Sequence, residues 1–164
     1  MTTTDHSSQA TTIEADPQLP LIRMTRDFRA TPAQLVRAHT DPEIFARWVG
    51  PHSVSTRIDH WDARTGGSYR YVNVRGDEEH AFHGCFHEVS DHRLVQTFTC
   101  EGYPEGVSLD TMTFEELGGG VTRMHAQSLV DSIEGRDAML ASGMEVGVDE
   151  GYATLDALLA DGAV

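Results

Sequence analysis

Apolar and polar residues alternate along much of the chain, which is typical of strands that bury one face. In the first alternating stretch, residues 21–29, Ile22, Met24 and Phe28 share one side and polar residues occupy the other. Six further strands are predicted near residues 53–61, 68–75, 80–89, 93–101, 107–116 and 121–129. Because the turns between these six are short, we expect neighbouring strands to pair antiparallel.

Two short helices are predicted directly after the first strand. Thr31, Pro32 and Gln34 together form a helix start, with a capping box and a proline in the first turn. This first helix should run to about Thr40. The Asp-Pro pair at residues 41–42 starts a second helix, which Gly-Pro soon ends.

The last predicted hairpin indicates which face of the sheet is buried. A three-residue turn at residues 118–120 would pair Leu117 with Val121, and therefore Phe114 with Met124. The apolar face then carries Met112, Phe114, Met124 and Ala126, and the opposite face carries polar side chains. A sheet that is apolar on one side needs a cover on that side.

Residues 131–160 are the only long helical candidate and therefore the predicted cover. Ser132 suits the N-cap, and a stripe follows at helical spacing, formed by Leu140, Met144, Val148, Gly151, Leu155 and Leu158, with Tyr152 beside it. Gly143, Gly147 and Gly151 are unusual inside a helix, where each costs about 1 kcal/mol relative to alanine. They either admit close backbone approach or soften the helix.

Several short segments between about residues 20 and 160 match a known family in order and spacing. They are Phe28-Arg29-Ala30-Thr31-Pro32, Thr40-Asp41-Pro42-Glu43, the stretch 62–70, Gly84-Cys85-Phe86 and Ser142-Gly143-Met144. Together they resemble the START-like (SRPBCC) superfamily, in the branch similar to the C-terminal domain of the activator of heat-shock protein 90 ATPase. The resemblance implies an α+β helix-grip fold, with one strand, two helices, six strands and a long C-terminal helix gripped by a curved antiparallel sheet.

The resemblance also implies a cavity between sheet and helix, which superfamily members use for lipids, polyketides, hormones or antibiotics. Where many relatives have Gly-Trp in the long helix, this chain has Gly147 and Val148, which leaves more room. We therefore expect a small hydrophobic or amphipathic ligand, although each lining residue would serve equally well as ordinary core. The predicted ligand-binding residues are Phe28, Trp48, Tyr69, Phe98, Met112, Phe114, Met124, Met144, Val148 and Tyr152, with Met24 beside them and with Trp48 and Tyr69 at the rim.

Two other functions stay open. An enzyme, such as a cyclase or hydrolase, would use Arg26 and Asp110, which share the phase of the cavity-facing residues and would form either an acid–base pair or a structural ion pair. A chaperone-associated module, with a role in the stress response, would need an exposed apolar patch. The sequence favours a binder over an enzyme and predicts no cofactor.

The predicted strand near residues 80–89 contains residues that could bind a metal ion. His83, Cys85 and His87 alternate and so share a face, and Cys100 is expected opposite His83, with Leu94 and Phe98 on the same face. Imidazole and thiolate are zinc ligands, but no usual zinc spacing is present. Ordinary surface histidines are the better interpretation, and no metal is predicted.

The composition restricts the partners and the compartment. With 26 acidic and 12 basic residues the formal charge is −14, which disfavours binding to nucleic acid and to anionic membranes, and no apolar run is long enough for membrane insertion. Two cysteines fit a reducing compartment. We predict a soluble, cytoplasmic monomer or homodimer without a signal peptide, with residues 1–18 as a disordered tail and residues 19–164 as a single domain.

Overall fold

The computed structural model of the chain describes residues 10–164. Within this range the chain forms eight strands and four helices: β1 (Thr12–Ala15), β2 (Leu21–Phe28), α1 (Pro32–Thr40), α2 (Pro42–Trp48), β3 (Ser55–Trp61), β4 (Ser68–Arg75), β5 (Glu78–Val89), β6 (Arg93–Cys100), β7 (Ser108–Gly118), β8 (Val121–Leu129), α3 (Ile133–Ala141) and α4 (Met144–Ala160). The strands form one antiparallel sheet in the order β1-β2-β8-β7-β6-β5-β4-β3. The predicted α+β helix-grip fold is confirmed.

The two short helices begin and end where their capping residues place them. Thr31 Oγ1 accepts a hydrogen bond from the Gln34 backbone amide at 3.2 Å, and the Gln34 side chain accepts one from the Thr31 amide at 2.9 Å. Asp41 Oδ1 accepts hydrogen bonds from the amides of Glu43 and Ile44. These contacts satisfy backbone donors that the first turn of each helix leaves unpaired, so both boundaries are set locally.

The β7–β8 hairpin has the predicted pairing along its length but not at its turn. Phe114 pairs with Met124, as expected, but Val121 pairs with Gly118 rather than with Leu117. Leu117 lies in a bulge, so the turn contains two glycines, both with positive φ, as a two-residue hairpin turn requires. The extra residue in the bulge compensates for the shorter turn, so the inward–outward alternation of the two strands still matches. The apolar side chains therefore stay on one face.

The long C-terminal helix is interrupted, and its three glycines have separate roles. Gly143 adopts a left-handed conformation with φ of 82° and divides the predicted helix into α3 and α4. A Cβ atom at Gly151 would lie 2.9 Å from the carbonyl oxygen of Trp48, so this glycine lets α4 approach the end of α2. Gly147 lies beside Pro51 at ordinary contact distance. No helix within residues 10–164 is long and apolar enough to cross a membrane.

Part of the segment that was expected to be disordered forms a strand. Residues Thr12–Ala15 of β1 pair antiparallel with β2, from Thr12 opposite Thr25 to Ala15 opposite Ile22. A four-residue strand is too short to show alternation, and its stability comes from β2, so local composition did not reveal it. Arg136 of α3 donates a hydrogen bond to the Leu19 carbonyl oxygen at 2.9 Å and so fixes the connection to β2. Residues 1–9 of the expected tail lie outside the described residues.

Candidate functional site: the concave face of the sheet

The side chains that face the helices form continuous rows across the sheet. Met24 on β2 pairs with Ala126 on β8, which pairs with Met112 on β7, and Met112 pairs with Leu94 on β6. The neighbouring row towards the sheet end contains Ile22, Ser128, Asp110, Gln96 and Phe86. Because paired residues point to the same face, these rows define the surface that the helices cover.

One half of this surface is a closed core. Phe28, Leu94 and Met124 have no accessible surface, and Phe114 is buried beside them. The C-terminal half of α4 fills this space with Tyr152 and with the fully buried Leu155, and α1 and α2 complete the cluster. Five of the predicted ligand-binding residues, Phe28, Trp48, Phe114, Met124 and Tyr152, therefore lie in solid core.

The other half is only partly covered. Its inward-facing side chains are half-buried although they point towards the helices: Met24, Phe82, Gln96, Phe98, Asp110, Met112, Ala126 and Ser128. Met144 and Val148, also half-buried, lie two turns and one turn, respectively, before Tyr152 on the same face of α4. These ten inward-facing residues keep part of their surface accessible, and we call the surface that they form the hollow.

Asp110 is the ionisable group in the wall of the hollow. The Ser108 hydroxyl donates a hydrogen bond to Asp110 Oδ1 at 3.0 Å, and Ser128 is its cross-strand neighbour. Burial raises the pKa of the Asp110 carboxyl to about 6, and hydrogen bonds from Ser128 and Ser108 lower it in part. Asp110 is therefore largely buried but keeps some accessible surface.

Three buried tyrosines, two on the sheet and one on α4, are close enough to Asp110 for its charge to affect their pKa values. Burial raises the pKa values of Tyr69, Tyr71 and Tyr152, and in each case the Asp110 carboxylate adds to the rise. Tyr69 donates a hydrogen bond to the Thr97 carbonyl oxygen at 2.6 Å. The three phenols therefore stay neutral, and Asp110 carries the negative charge of the hollow.

Arg26 does not pair with Asp110, contrary to one of the sequence hypotheses. Its guanidinium is 4% exposed and donates hydrogen bonds to both carboxylate oxygens of Asp156 on α4, at 3.0 and 2.7 Å. The guanidinium carbon also lies 4.5 Å from the centre of the Phe28 ring. Arg26 thus fastens α4 to β2, and the two side chains do not form the acid–base pair that an enzyme was expected to use.

The two aromatic residues expected at the rim of the cavity are buried. The Trp48 indole is 7% exposed, stacks on Tyr152 at 5.1 Å between ring centres, and donates a hydrogen bond to the Ala38 carbonyl oxygen at 2.9 Å. Tyr69 is 3% exposed and lies under the polar end of the hollow. The sequence shows that both are amphipathic but not that their polar atoms have internal partners.

The histidine–cysteine strand faces away from the hollow. His83, Cys85 and His87 are exposed on the outer face of β5. Cys100 is opposite Phe82 rather than His83, because a bulge near His87 shifts the β5–β6 register by one residue. Leu94 and Phe98 lie on the inner face, contrary to expectation. Within residues 10–164 no group of three His, Cys, Asp or Glu side chains is arranged to hold a metal ion.

Two surface depressions lie outside the hollow. One, of about 700 Å³, lies between α1 and the β5–β6 turn and is lined in part by Pro32, Val36 and His92. The other, of about 300 Å³, lies where the segment before β1 passes Arg26 and Arg123. Both open widely to solvent, and neither contains the predicted ligand-binding residues.

Sequence reasoning missed the polar neighbours of Asp110. Ser128 and Ser108 were not singled out, although the correctly predicted β7–β8 pairing already places Ser128 opposite Asp110. Asp156 was also missed as the partner of Arg26, because the two residues are 130 positions apart and no local pattern links them.

Solved structures share this fold. A protein from Rhodobacter sphaeroides has a TM-score of 0.82 and 26% identity over 92% of this chain and 98% of that one. Protein Ms6760 from Mycobacterium smegmatis has a TM-score of 0.80 and 24% identity over 91% and 96% of the two chains. The AHSA1 protein from Silicibacter pomeroyi has a TM-score of 0.69 and 20% identity over 85% and 97%. Among curated proteins, none matches this chain.

A family model supports the same relationship at the level of sequence. The model described as activator of Hsp90 ATPase homolog 1-like protein matches residues 29–160, which is most of the chain. The matched range contains both capped helices, strands β3 to β8, and the two helices that cover the sheet. The chain therefore belongs to the activator of Hsp90 ATPase homolog 1-like family, within the START-like superfamily that its sequence motifs resemble.

Proposed function

We propose that this protein binds a small hydrophobic or amphipathic molecule in the hollow. The observation that carries the proposal is the partial exposure of side chains that point inward, among them Met24, Phe98 and Met112. Covering apolar surface is favourable by about 25 cal/mol per Å². A ligand of complementary shape would gain this free energy where the helices leave the surface open.

The composition of the hollow supports ligand binding. Met24, Met112 and Met144 are unbranched and polarizable, so their side chains adapt to different shapes. Polar groups are confined to one end, where Asp110 and Gln96 form a cross-strand pair. An apolar wall with a few polar groups is the usual composition of a small-molecule site.

The closed half of the concave face gives the hollow a rigid frame. The Arg26–Asp156 ion pair and the close approach of Gly151 to α2 hold the C-terminal half of α4 in place. An open site next to a rigid core needs little rearrangement when it binds, which lowers the entropic cost of binding.

Filling the hollow with a side chain tests the proposal. Ala126→Phe adds a ring on the inner face, and the matched control Gln127→Phe adds the same ring on the outer face of the same strand. If the hollow has room, Ala126→Phe changes the free energy of unfolding little, whereas overpacking a filled core costs about 1–3 kcal/mol.

Ligand binding is measured by native mass spectrometry and by thermal shift with lipids, aromatic compounds and polyketides. A ligand at 100 times its Kd stabilises the protein by about 2.7 kcal/mol. We expect this stabilisation in the wild type and in Gln127→Phe but not in Ala126→Phe. If no compound binds the wild type, or if Ala126→Phe binds as well as the control, the proposal is wrong.

A chaperone-associated role is the second candidate, because the family carries the description of an activator of Hsp90 ATPase. An exposed apolar patch on the outer face supports it, since Leu109 and Leu129 pair there and are 41% and 40% exposed, with Val107 at 52% nearby. Pull-down with an Hsp90 chaperone at moderate salt tests this role. Leu109→Ser should weaken capture, and absence of capture by the wild type would exclude it.

A further inference from the structure

The charge inside the hollow limits the chemistry of its ligand. Asp110 forms no ion pair with any residue in the described range 10–164, and only hydroxyl groups donate hydrogen bonds to it. Arg26 has a side chain on the same inner face, but Asp156 already engages its guanidinium through both carboxylate oxygens. The chain contains no lysine. The hollow therefore carries a negative charge that no basic side chain balances.

We infer, on the basis of the proposed binding function, that the ligand is an amphipathic amine whose cationic nitrogen binds at Asp110 while its apolar part occupies the hollow. The register places the carboxylate between Gln96 on one side and Ser128 on the other, at the polar end of an apolar wall. A protonated amine donates three hydrogen bonds and has no acceptor, and carboxylate, amide and hydroxyl oxygens all accept. Fatty acids and other anionic ligands would instead be repelled.

Burial of Asp110 strengthens this selectivity. A carboxylate that is poorly hydrated by water gains more from a cation than an exposed one does, because the interaction is less screened. The net charge of −14 gives all cations a weak preference for the whole surface. The contribution of the hollow must therefore be separated from that of the surface by a matched variant.

The groups that face the hollow determine its dependence on pH. Asp110 on β7 is the ionisable group of the hollow itself, and the titratable or charged groups around it come from several elements: Arg26 on β2, Tyr69 and Tyr71 on β4, Cys100 on β6, and Tyr152 and Asp156 on α4. His39 of α1 contacts Tyr152, and burial lowers its pKa to about 4, so it is neutral above pH 5. The tyrosines are neutral because burial raises their pKa values. Since the pKa of Asp110 is about 6, amine binding should weaken as the pH falls from 7.5 to 5.

Three probes with the same alkyl chain test the inference: decylamine and decanoic acid, each below its critical micelle concentration, and decanol below its solubility limit. Binding to the full chain is measured by calorimetry at pH 7.5 and pH 5. At pH 7.5 we expect decylamine to bind roughly ten- to a hundredfold more tightly than decanol, as one charge-assisted hydrogen-bonded contact provides. Decanoic acid should bind most weakly. The variant Asp110→Asn and its control Asp149→Asn each remove one negative charge.

Asp110→Asn should abolish the preference for the amine, whereas Asp149→Asn, at an exposed position on α4, should retain it. In the wild type the preference should also shrink at pH 5, which gives a readout independent of any variant. Equal binding of the three probes, or a preference that survives in Asp110→Asn, would overturn the inference and leave the proposed binding function intact. Failure of all three probes to bind would instead overturn the proposed function and the inference with it.

Discussion

Arg26 and Asp156 join the first long strand to the last helix through two parallel hydrogen bonds. The arginine side chain is 4% exposed and the aspartate 38%, so the pair extends from the core to the surface. The Arg26 Nε atom has no hydrogen-bond partner within residues 10–164, so Asp156 alone balances the charge. Removing one partner of such a pair is costly because the other charge is then left buried and unpaired.

Asp156→Ala should therefore lower the free energy of unfolding by about 2 kcal/mol or more. Breaking a fully buried pair costs roughly 3–5 kcal/mol, and the exposure of Asp156 reduces the effect. Asp149→Ala is the control, because it removes the same charge from an exposed position on α4 and should change stability by less than about 0.5 kcal/mol. Urea denaturation measures both values, and similar midpoints for the two variants would contradict the prediction.

Two glycines of α4 should respond in opposite directions to alanine. At Gly151 the new Cβ atom would lie 2.9 Å from the Trp48 carbonyl oxygen, a backbone atom that cannot move freely, so Gly151→Ala should destabilise the protein by about 1–3 kcal/mol. At Gly147 the Cβ atom would meet Pro51 at 3.5 Å, so Gly147→Ala should gain up to about 1 kcal/mol of helix propensity. Thermal denaturation tests the pair, and equal shifts would show that α4 does not approach α2 as described.

His39 should make the protein sensitive to acid. Its Nδ1 atom donates to the Leu35 carbonyl oxygen at 2.7 Å, its Nε2 atom accepts from the Tyr152 hydroxyl at 3.3 Å, and burial lowers its pKa from 6.5 to about 4. The unfolded state binds a proton at His39 more readily than the folded state does. The contribution of neutral His39 to the free energy of unfolding is therefore complete above pH 6.5 and is lost as the pH falls through 4. The loss is roughly 3 kcal/mol.

The variant His39→Gln should lower the free energy of unfolding at pH 7 because packing changes. It should also remove the part of the loss of stability between pH 6.5 and pH 4 that comes from protonation of His39. Chemical denaturation at several values between pH 7 and pH 4 measures the difference between the two proteins. If that difference is constant over the range, His39 does not titrate as proposed.

Asp110 should act on stability with the opposite sign. Burial raises its pKa from 3.8 to about 6, so its carboxyl favours folding most below pH 3.8, and this contribution is lost as the pH rises through 6. Asp110→Asn should therefore raise the free energy of unfolding at pH 7.5 by up to roughly 3 kcal/mol. The gain should disappear towards pH 4, and a gain that does not depend on pH would contradict the assignment. Asp149→Asn provides a control for net charge.

The parts of the fold that depend on neighbours in sequence could be predicted well. The capping residues Thr31 and Asp41 fix both short helices because their hydrogen bonds reach only two or three positions ahead. The pairing of Phe114 with Met124 followed from alternation around a glycine turn, even though the bulge at Leu117 was missed. A bulge adds one residue without changing which face is apolar, so the pattern does not reveal it.

The missed features depend on distant contacts. The predicted partner of Cys100 was wrong by one residue because β5 contains a bulge. The sequence also did not distinguish Gly143, which breaks the helix, from the glycines that allow close packing within it. The role of Trp48 as core rather than rim depends on Tyr152, more than 100 positions later. For the candidate site, alternation correctly placed Asp110 on the inner face, but its lack of a cation could not be inferred before the Arg26–Asp156 pair was known.

The short strand β1 has a consequence for any shortened version of this protein. Its four residues occupy the hydrogen-bonding edge of β2, from Ile22 to Thr25. A chain beginning at residue 19 would leave the amide and carbonyl groups of that edge open to a strand of another molecule, which is a common origin of aggregation. Because β1 has four residues and β2 has eight, the chain with β1 presents a shorter strand at this edge, which lowers the tendency to aggregate there.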